Sequence, residues 1–245
     1  MPRKLSLRRA LTLAAPGLAW LAPAAGATCA SHGQATPAYR QRALETARRI
    51  GVAPGWAQAH QWHLQPSAAS LVPAGRDVYA RPLRLAPRAA SALLTMVAAA
   101  ARESVVLQPV SGFRSFGYQR RLLRRKLDRG TPLAAVLEVN ALPGFSEHHS
   151  GCALDLTTPG VPAADAAFAG TPAFAWLVAH AGDYGFSLSY PPGNRQGIVF
   201  EPWHWRYQGR QPPALADALA TATPAASERQ SAPTPPTSGE SPHVP

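Results

Sequence analysis

Ser146-Glu147-His148-His149-Ser150-Gly151-Cys152-Ala153-Leu154-Asp155 is the stretch on which the reading of this chain turns. His148 and Asp155 stand seven residues apart, with Gly151 between them. Glycine accepts backbone conformations that other residues resist, so the chain can turn there and carry the carboxylate back towards the imidazole. Ala153 to Leu156 reads as a short strand. A carboxylate in an apolar strand requires a cation or hydrogen-bond donors beside it. His149 points away from His148 in an extended segment, which argues against it as a ligand.

Two further stretches bear on the chemistry. Glu201-Pro202-Trp203-His204-Trp205-Arg206-Tyr207 adds a histidine with a carboxylate three residues before it, and Ser111-Gly112-Phe113-Arg114-Ser115-Phe116-Gly117-Tyr118-Gln119 adds an arginine at a strand-to-helix turn. A catalytic zinc takes three protein ligands from His, Asp or Glu and keeps one position open. His148, Asp155 and His204 supply such a set, and Glu201 is placed to take a proton from water and return it to a leaving amine. Each piece alone is weak, since a lone histidine is more often a core or surface residue. Trp203, Trp205 and Tyr207 read equally well as core or as the wall of a cleft.

Together the three stretches resemble the zinc peptidases that cut D-alanine from peptidoglycan, the family of VanY-type D-alanyl-D-alanine carboxypeptidases and the related VanX-type dipeptidases. The family pattern is matched as Ser146-x-His148-x6-Asp155 and Glu201-x-x-His204, with Ser111 to Ser115, Gln119, Tyr184-Gly185-Phe186 and Ser189-Tyr190-Pro191 also similar. The likeness runs from about Leu83 to Tyr207. It implies that His148, Asp155 and His204 bind Zn2+ and that Glu201 is the base. Arg114 would hold the substrate's terminal carboxylate or the developing oxyanion, and Ser146 and Gln119 would line the substrate cleft. Cys152 stands where a larger aliphatic residue is common in the family.

The activity so implied is removal of the terminal D-alanine from peptidoglycan stem peptides, a D,D-carboxypeptidase. L,D-carboxypeptidase action on tetrapeptide stems shares the same motifs. Hydrolysis of a free dipeptide lacks a feature that narrows the cleft. A non-catalytic cell-wall binding module would have lost a ligand or the base, and all four are present. A purely structural zinc would close with four ligands, usually including cysteine.

The rest of the chain sets the frame. Met1 to Ala27 reads as a secretory signal: Arg3, Lys4, Arg8 and Arg9 precede an apolar run that ends in Ala25-Gly26-Ala27,. A retained anchor, twin-arginine export through Arg8-Arg9 and a lipoprotein at Cys29 are the competing readings. Cleavage would leave no stable membrane span and place the protein outside the cytoplasm, in the periplasm or cell envelope. The formal charge is +11, and with those four positive residues removed it is +7. Such a charge suits an anionic polymer, but no nucleic-acid motif accompanies it. Much of it lies in Arg120, Arg121, Arg124, Arg125, Lys126 and Arg129, which at helical spacing mostly reads as a solvated face,. Cys29 and Cys152 could pair in an oxidising compartment, although a buried free Cys152 is the expectation here.

Residues 28–82 form an N-terminal segment, 83–212 the peptidase domain and 213–245 a disordered tail rich in Pro and Ser,. The pattern predicts helices at Ala38 to Ile50, Leu83 to Arg102, Phe116 to Arg129 and Thr171 to Ala181. It predicts strands at Ser104 to Val110, Ala153 to Leu156, Phe186 to Tyr190, Gly197 to Phe200 and Trp203 to Tyr207. Helices interrupting short strands without βαβ alternation predict an α+β fold, a central antiparallel sheet flanked by helices in a single catalytic domain.

Overall fold

Period-2 alternation in two neighbouring strands organises the molecule. The structure, a computed structural model, describes residues 29 and 35–209. The expected signal at 1–27 and tail at 213–245 lie outside the described residues.

In chain order the elements are α1 (Pro37–Arg49), α2 (Trp56–Ala59), β1 (Val72–Arg76), β2 (Pro82–Leu85), α3 (Pro87–Arg102), β3 (Gln108–Ser111), α4 (Phe116–Asp128), α5 (Leu133–Glu138), β4 (Ala153–Thr157), α6 (Pro172–His180), β5 (Phe186–Leu188) and β6 (His204–Tyr207). The main sheet has the order β3-β4-β6-β5, and every pairing in it is antiparallel. β1 and β2 form a separate antiparallel ribbon. The α+β expectation holds.

Leu154 and Leu156 of β4, with Trp205 and Tyr207 of β6, point to one face of the sheet. There they join Leu93, Met96 and the alanines of α3, and Trp176 and Leu177 of α6, in the larger apolar core. Burial of each of these large side chains contributes roughly 1.5–3 kcal/mol. Asp155, His204 and Arg206 occupy the alternate positions and face the other way. A second core lies among α1, α4 and α5, built on Ala43, Leu123, Val136, Leu142 and Phe145.

Helix starts follow local chemistry. Thr36, Ser115 and Thr171 accept N–H bonds from Tyr39, Tyr118 and Phe174, capping α1, α4 and α6,. Pro87 opens α3 where its missing N–H costs nothing,.

Four expectations are corrected. Leu83 and Leu85 belong to β2 and not to the following helix; both are buried while Arg84 between them is exposed, a strand signature. Strand β3 begins at Gln108, because Ser104 takes a positive φ of 61° and turns the chain out of α3. Gly197 to Phe200 is loop: Asn194 bonds both the N–H and the C=O of Ile198, so those groups pair with a side chain and not with a strand. Cys152 is not a free thiol. It is disulfide-bonded to Cys29 across a Cα–Cα distance of 5.9 Å, and both sulfurs sit in the larger core.

No helix among the described residues is long and apolar enough to cross a membrane.

Candidate metal centre

Strand register sets the centre of the site. Asp155 on β4 lies directly opposite His204 on β6 and opposite Ser111 on β3. A short 3-10 turn, Glu147–Ser150, brings His148 over them and ends at Gly151, whose φ is +69°. A side chain there would be strained in backbone and would meet Leu71 at 2.8 Å and the backbone N of Ala86 at 2.9 Å. Gly151 C=O also accepts the N–H of Ala86 at 2.9 Å, tying the turn to the start of α3.

His148, Asp155 and His204 are all buried, and one ligand atom from each lies within 4.8 Å of the others. His148 Nδ1 donates to Gly112 C=O at 2.7 Å, which leaves the lone pair on Nε2. That Nε2 is buried without a hydrogen-bond partner, 3.4 Å from Asp155 Oδ1. Burial holds the His148 pKa down to about 4, so the ring is neutral. A buried orphaned nitrogen facing a carboxylate and a second imidazole suits a cation, and this donor set suits zinc.

His204 places Nδ1 3.1 Å from Asp155 Oδ1 and Nε2 3.0 Å from Glu147 Oε2. Burial opposes charge on this ring, yet bonds to Asp155 and Glu147 raise its pKa to about 10. A metal ion between the rings would take the place of the Nδ1 proton. Asp155 is itself held well below the usual carboxylate range: burial pushes it up, but His148 and Arg114 outweigh that.

Arg114 opens the turn into α4. Its Nη2 is paired with Asp155 Oδ2 and its Nε donates to Ser111 Oγ at 2.9 Å. Arg114 therefore touches a candidate ligand directly. Glu201 comes within 3.8 Å of His204 Nδ1, and burial raises its carboxyl to about 7, the range of a base at neutral pH,.

A cleft of about 430 Å3 opens on this cluster, and Gln119, Ser146, Tyr190 and Trp203 line it. The sequence-predicted residues Arg114, Gln119, Ser146, His148, Asp155, Glu201 and His204 are thus all brought to one place. Trp203 walls the cleft, whereas Trp205 and Tyr207 belong to the core. His149 lies outside the cluster: Nδ1 donates to Arg114 C=O at 2.6 Å and Nε2 accepts Gly144 N–H at 3.0 Å.

Sequence reasoning missed Glu147. Its carboxylate accepts from His204 Nε2, from Ser189 Oγ at 2.6 Å, and from Arg206 Nη1 at 2.9 Å. Its place beside His148 was the available signal, but the partners 57 and 59 residues away were not legible.

YodJ of Bacillus subtilis, named as a carboxypeptidase, is 37% identical over 128 residues, 50% of this chain and 46% of YodJ. VanXYC of Enterococcus gallinarum, a bifunctional D-Ala-D-Ala dipeptidase and carboxypeptidase, is 36% identical over 105 residues, 41% of this chain and 55% of that protein. The chain thus spans about half the length of these two curated relatives. The solved structure of the LD-carboxypeptidase LdcB matches over 64% of this chain and 76% of its own, at 29% identity and a TM-score of 0.54. The sequence model of D-alanyl-D-alanine carboxypeptidases, VanY, matches residues 82–210. That match takes in more than half of the chain and the whole of the buried cluster, and the chain belongs to the VanY family of D-alanyl-D-alanine carboxypeptidases.

Proposed function

We propose that the protein is an exported zinc D,D-carboxypeptidase that removes the terminal D-alanine from peptidoglycan stem peptides. The observation that carries this is the unpartnered Nε2 of His148, buried with Asp155 and His204 in the wall of a cleft of about 430 Å3, beside a high-pKa carboxyl on Glu201. When bound by these three residues, zinc supplies Lewis acidity that acidifies water and polarises a carbonyl.

The chain's own groups account for the remaining chemistry. Glu201 takes the proton of the attacking water and delivers it to the leaving amine of D-alanine. Arg114, fixed by Ser111 and Asp155, directs its guanidinium N–H groups at the oxyanion that forms on the scissile carbonyl,. Ser146 and Gln119 hold the peptide along the cleft. The Cys29–Cys152 disulfide supports export, since such bonds persist in oxidising compartments,.

L,D-carboxypeptidase action on tetrapeptide stems is the second reading, favoured by the likeness to LdcB. Release of D-alanine from a pentapeptide ending in D-Ala-D-Ala, with and without chelator, tests the first, and the same assay on the tetrapeptide tests the second. Chelator-sensitive release from the tetrapeptide alone would move the assignment to L,D. No release from either by the zinc-loaded protein would end both.

A further inference from the structure

The cleft contains a cation that this mechanism does not use. Gln119, Leu122 and Lys126 line it from α4, at spacings of three and four residues that put them on one helix face,. That face is fastened to the segment after α5: Gln119 Nε2 donates to Ala141 C=O at 2.8 Å, and Lys126 Nζ donates to Asn140 Oδ1 at 3.2 Å. The basic run, expected to be mostly a solvated face, is exposed at its arginines and not at this residue. Arg120, Arg121, Arg124, Arg125 and Arg129 are exposed, whereas Lys126 turns inward and is partly buried.

The other cations near the site have carboxylate partners. Arg114 has Asp155 and Arg206 has Glu147. Among the described residues Lys126 forms no ion pair, and its ammonium has one neutral acceptor for three N–H donors,. Burial lowers its pKa, Glu201 acts in the opposite sense and Arg114 lowers it further, so it shares the field of the reacting groups. On the same face, Gln119 Oε1 is buried without a donor. This wall therefore offers one cation lacking an anion and one acceptor lacking an N–H.

We propose that Lys126 binds a carboxylate of the peptide substrate, while Gln119 Oε1 accepts one of its backbone N–H groups. The inference rests on the carboxypeptidase reading and makes that site selective for acidic peptides. Two carboxylates have this chemistry: the C-terminal one, and a side-chain carboxylate on a residue before the scissile bond, as in diaminopimelate-type stems.

The test uses the zinc-loaded full chain, its Lys126→Met and Lys126→Arg variants, and four peptides: one with both carboxylates, two with one or the other amidated, and one with both amidated. With the doubly acidic peptide, Lys126→Met should raise KM roughly ten- to a hundredfold with kcat little changed, and Lys126→Arg should recover most of the loss. Amidating the carboxylate that Lys126 holds should erase the difference between wild type and Lys126→Met, which identifies the source. An unchanged KM in Lys126→Met, or the same rise on all four peptides, would overturn the proposal. Calorimetric titration of the peptides into Glu201→Gln protein, with and without Lys126→Met, reads the same contact without turnover. Wild type that binds the acidic peptide through Lys126 but releases no D-alanine would therefore refute the carboxypeptidase reading and leave this one standing.

Discussion

Replacing Glu147 with glutamine tests whether a residue outside the ligand set governs metal binding. Both carboxylate oxygens of Glu147 accept hydrogen bonds: Oε2 from His204 at 3.0 Å and Ser189 at 2.6 Å, Oε1 from Arg206 at 2.9 Å. A glutamine of the same shape has one accepting oxygen, so its amide N–H2 must face a donor on one side. If it faces His204, the ring loses the acceptor that keeps the proton on Nε2 and presents Nδ1 to the cluster. If it faces Arg206, a buried guanidinium is left against a donor. Disturbing a hydrogen bond behind a metal-binding histidine costs about 10- to 100-fold in metal affinity. Leaving a buried charged group unpaired costs about 2 kcal/mol or more. A loss of that size lowers the Tm of a chain this long by roughly 4–8 °C. Zinc affinity is read by competition with a chromophoric chelator at fixed pH, and stability by thermal melts with and without zinc. Affinity within about twofold of wild type, with an unshifted melt, would refute the claim that Glu147 sets the His204 ring.

Other perturbations have equally defined outcomes. Glu201→Gln should lower kcat by roughly 10²- to 10⁴-fold while chelator competition shows zinc still bound. The same base predicts the pH profile: Glu201 works ionised and burial lifts its carboxyl to about 7, so kcat/KM should fall as pH drops below neutrality, and a bound cation would move that fall lower,. A rate that rises between pH 7 and 5 would contradict the assignment. Gly151→Ala should destabilise the fold by about 1–3 kcal/mol, read by denaturant titration, because the φ of +69° and the contacts with Leu71 and Ala86 leave no room for a Cβ,. Replacing Cys29 and Cys152 together by serine opens a loop spanning 123 residues and should cost about 4–5 kcal/mol; a Tm equal to wild type would show that the bond contributes nothing,.

What was legible in the sequence depended on how far apart the deciding residues stand. The turn from His148 through Gly151 to Asp155 is local, and so is the step from Glu201 to His204, so their spacing was informative without a fold. The strands that carry Asp155 and His204 were legible as short apolar runs, though their pairing and register were not. Leu83 and Leu85 were drawn into the helix because Leu, Arg and Ala favour helix, while the alternation around Arg84 and the ribbon partner at Val72 decide for strand. The Cys29–Cys152 bond and the Glu147–Arg206 pair join residues too distant for any pattern to connect. Lys126 shows the same limit on a finer scale: its charge matched the arginines around it, and only the packing of α4 against Asn140 sets it apart.

The disulfide also gives the molecule a topology. Residues 29 to 152 form a closed covalent ring, and everything after Cys152 is an arm leaving it. Arg114, Gln119 and His148 lie on the ring, while Asp155, Glu201 and His204 ride on the arm. A nick anywhere in the ring leaves its pieces joined, whereas a nick in the exposed loop around Pro192 and Gly193 cuts Glu201 and His204 loose from the covalent body. An ion shared by His148 and His204 would then tie the cut segment back to the rest of the chain, alongside the pairing of β6 with β4. Reduction would leave that tie untouched, because both cysteines lie before the nick, whereas chelation would remove it.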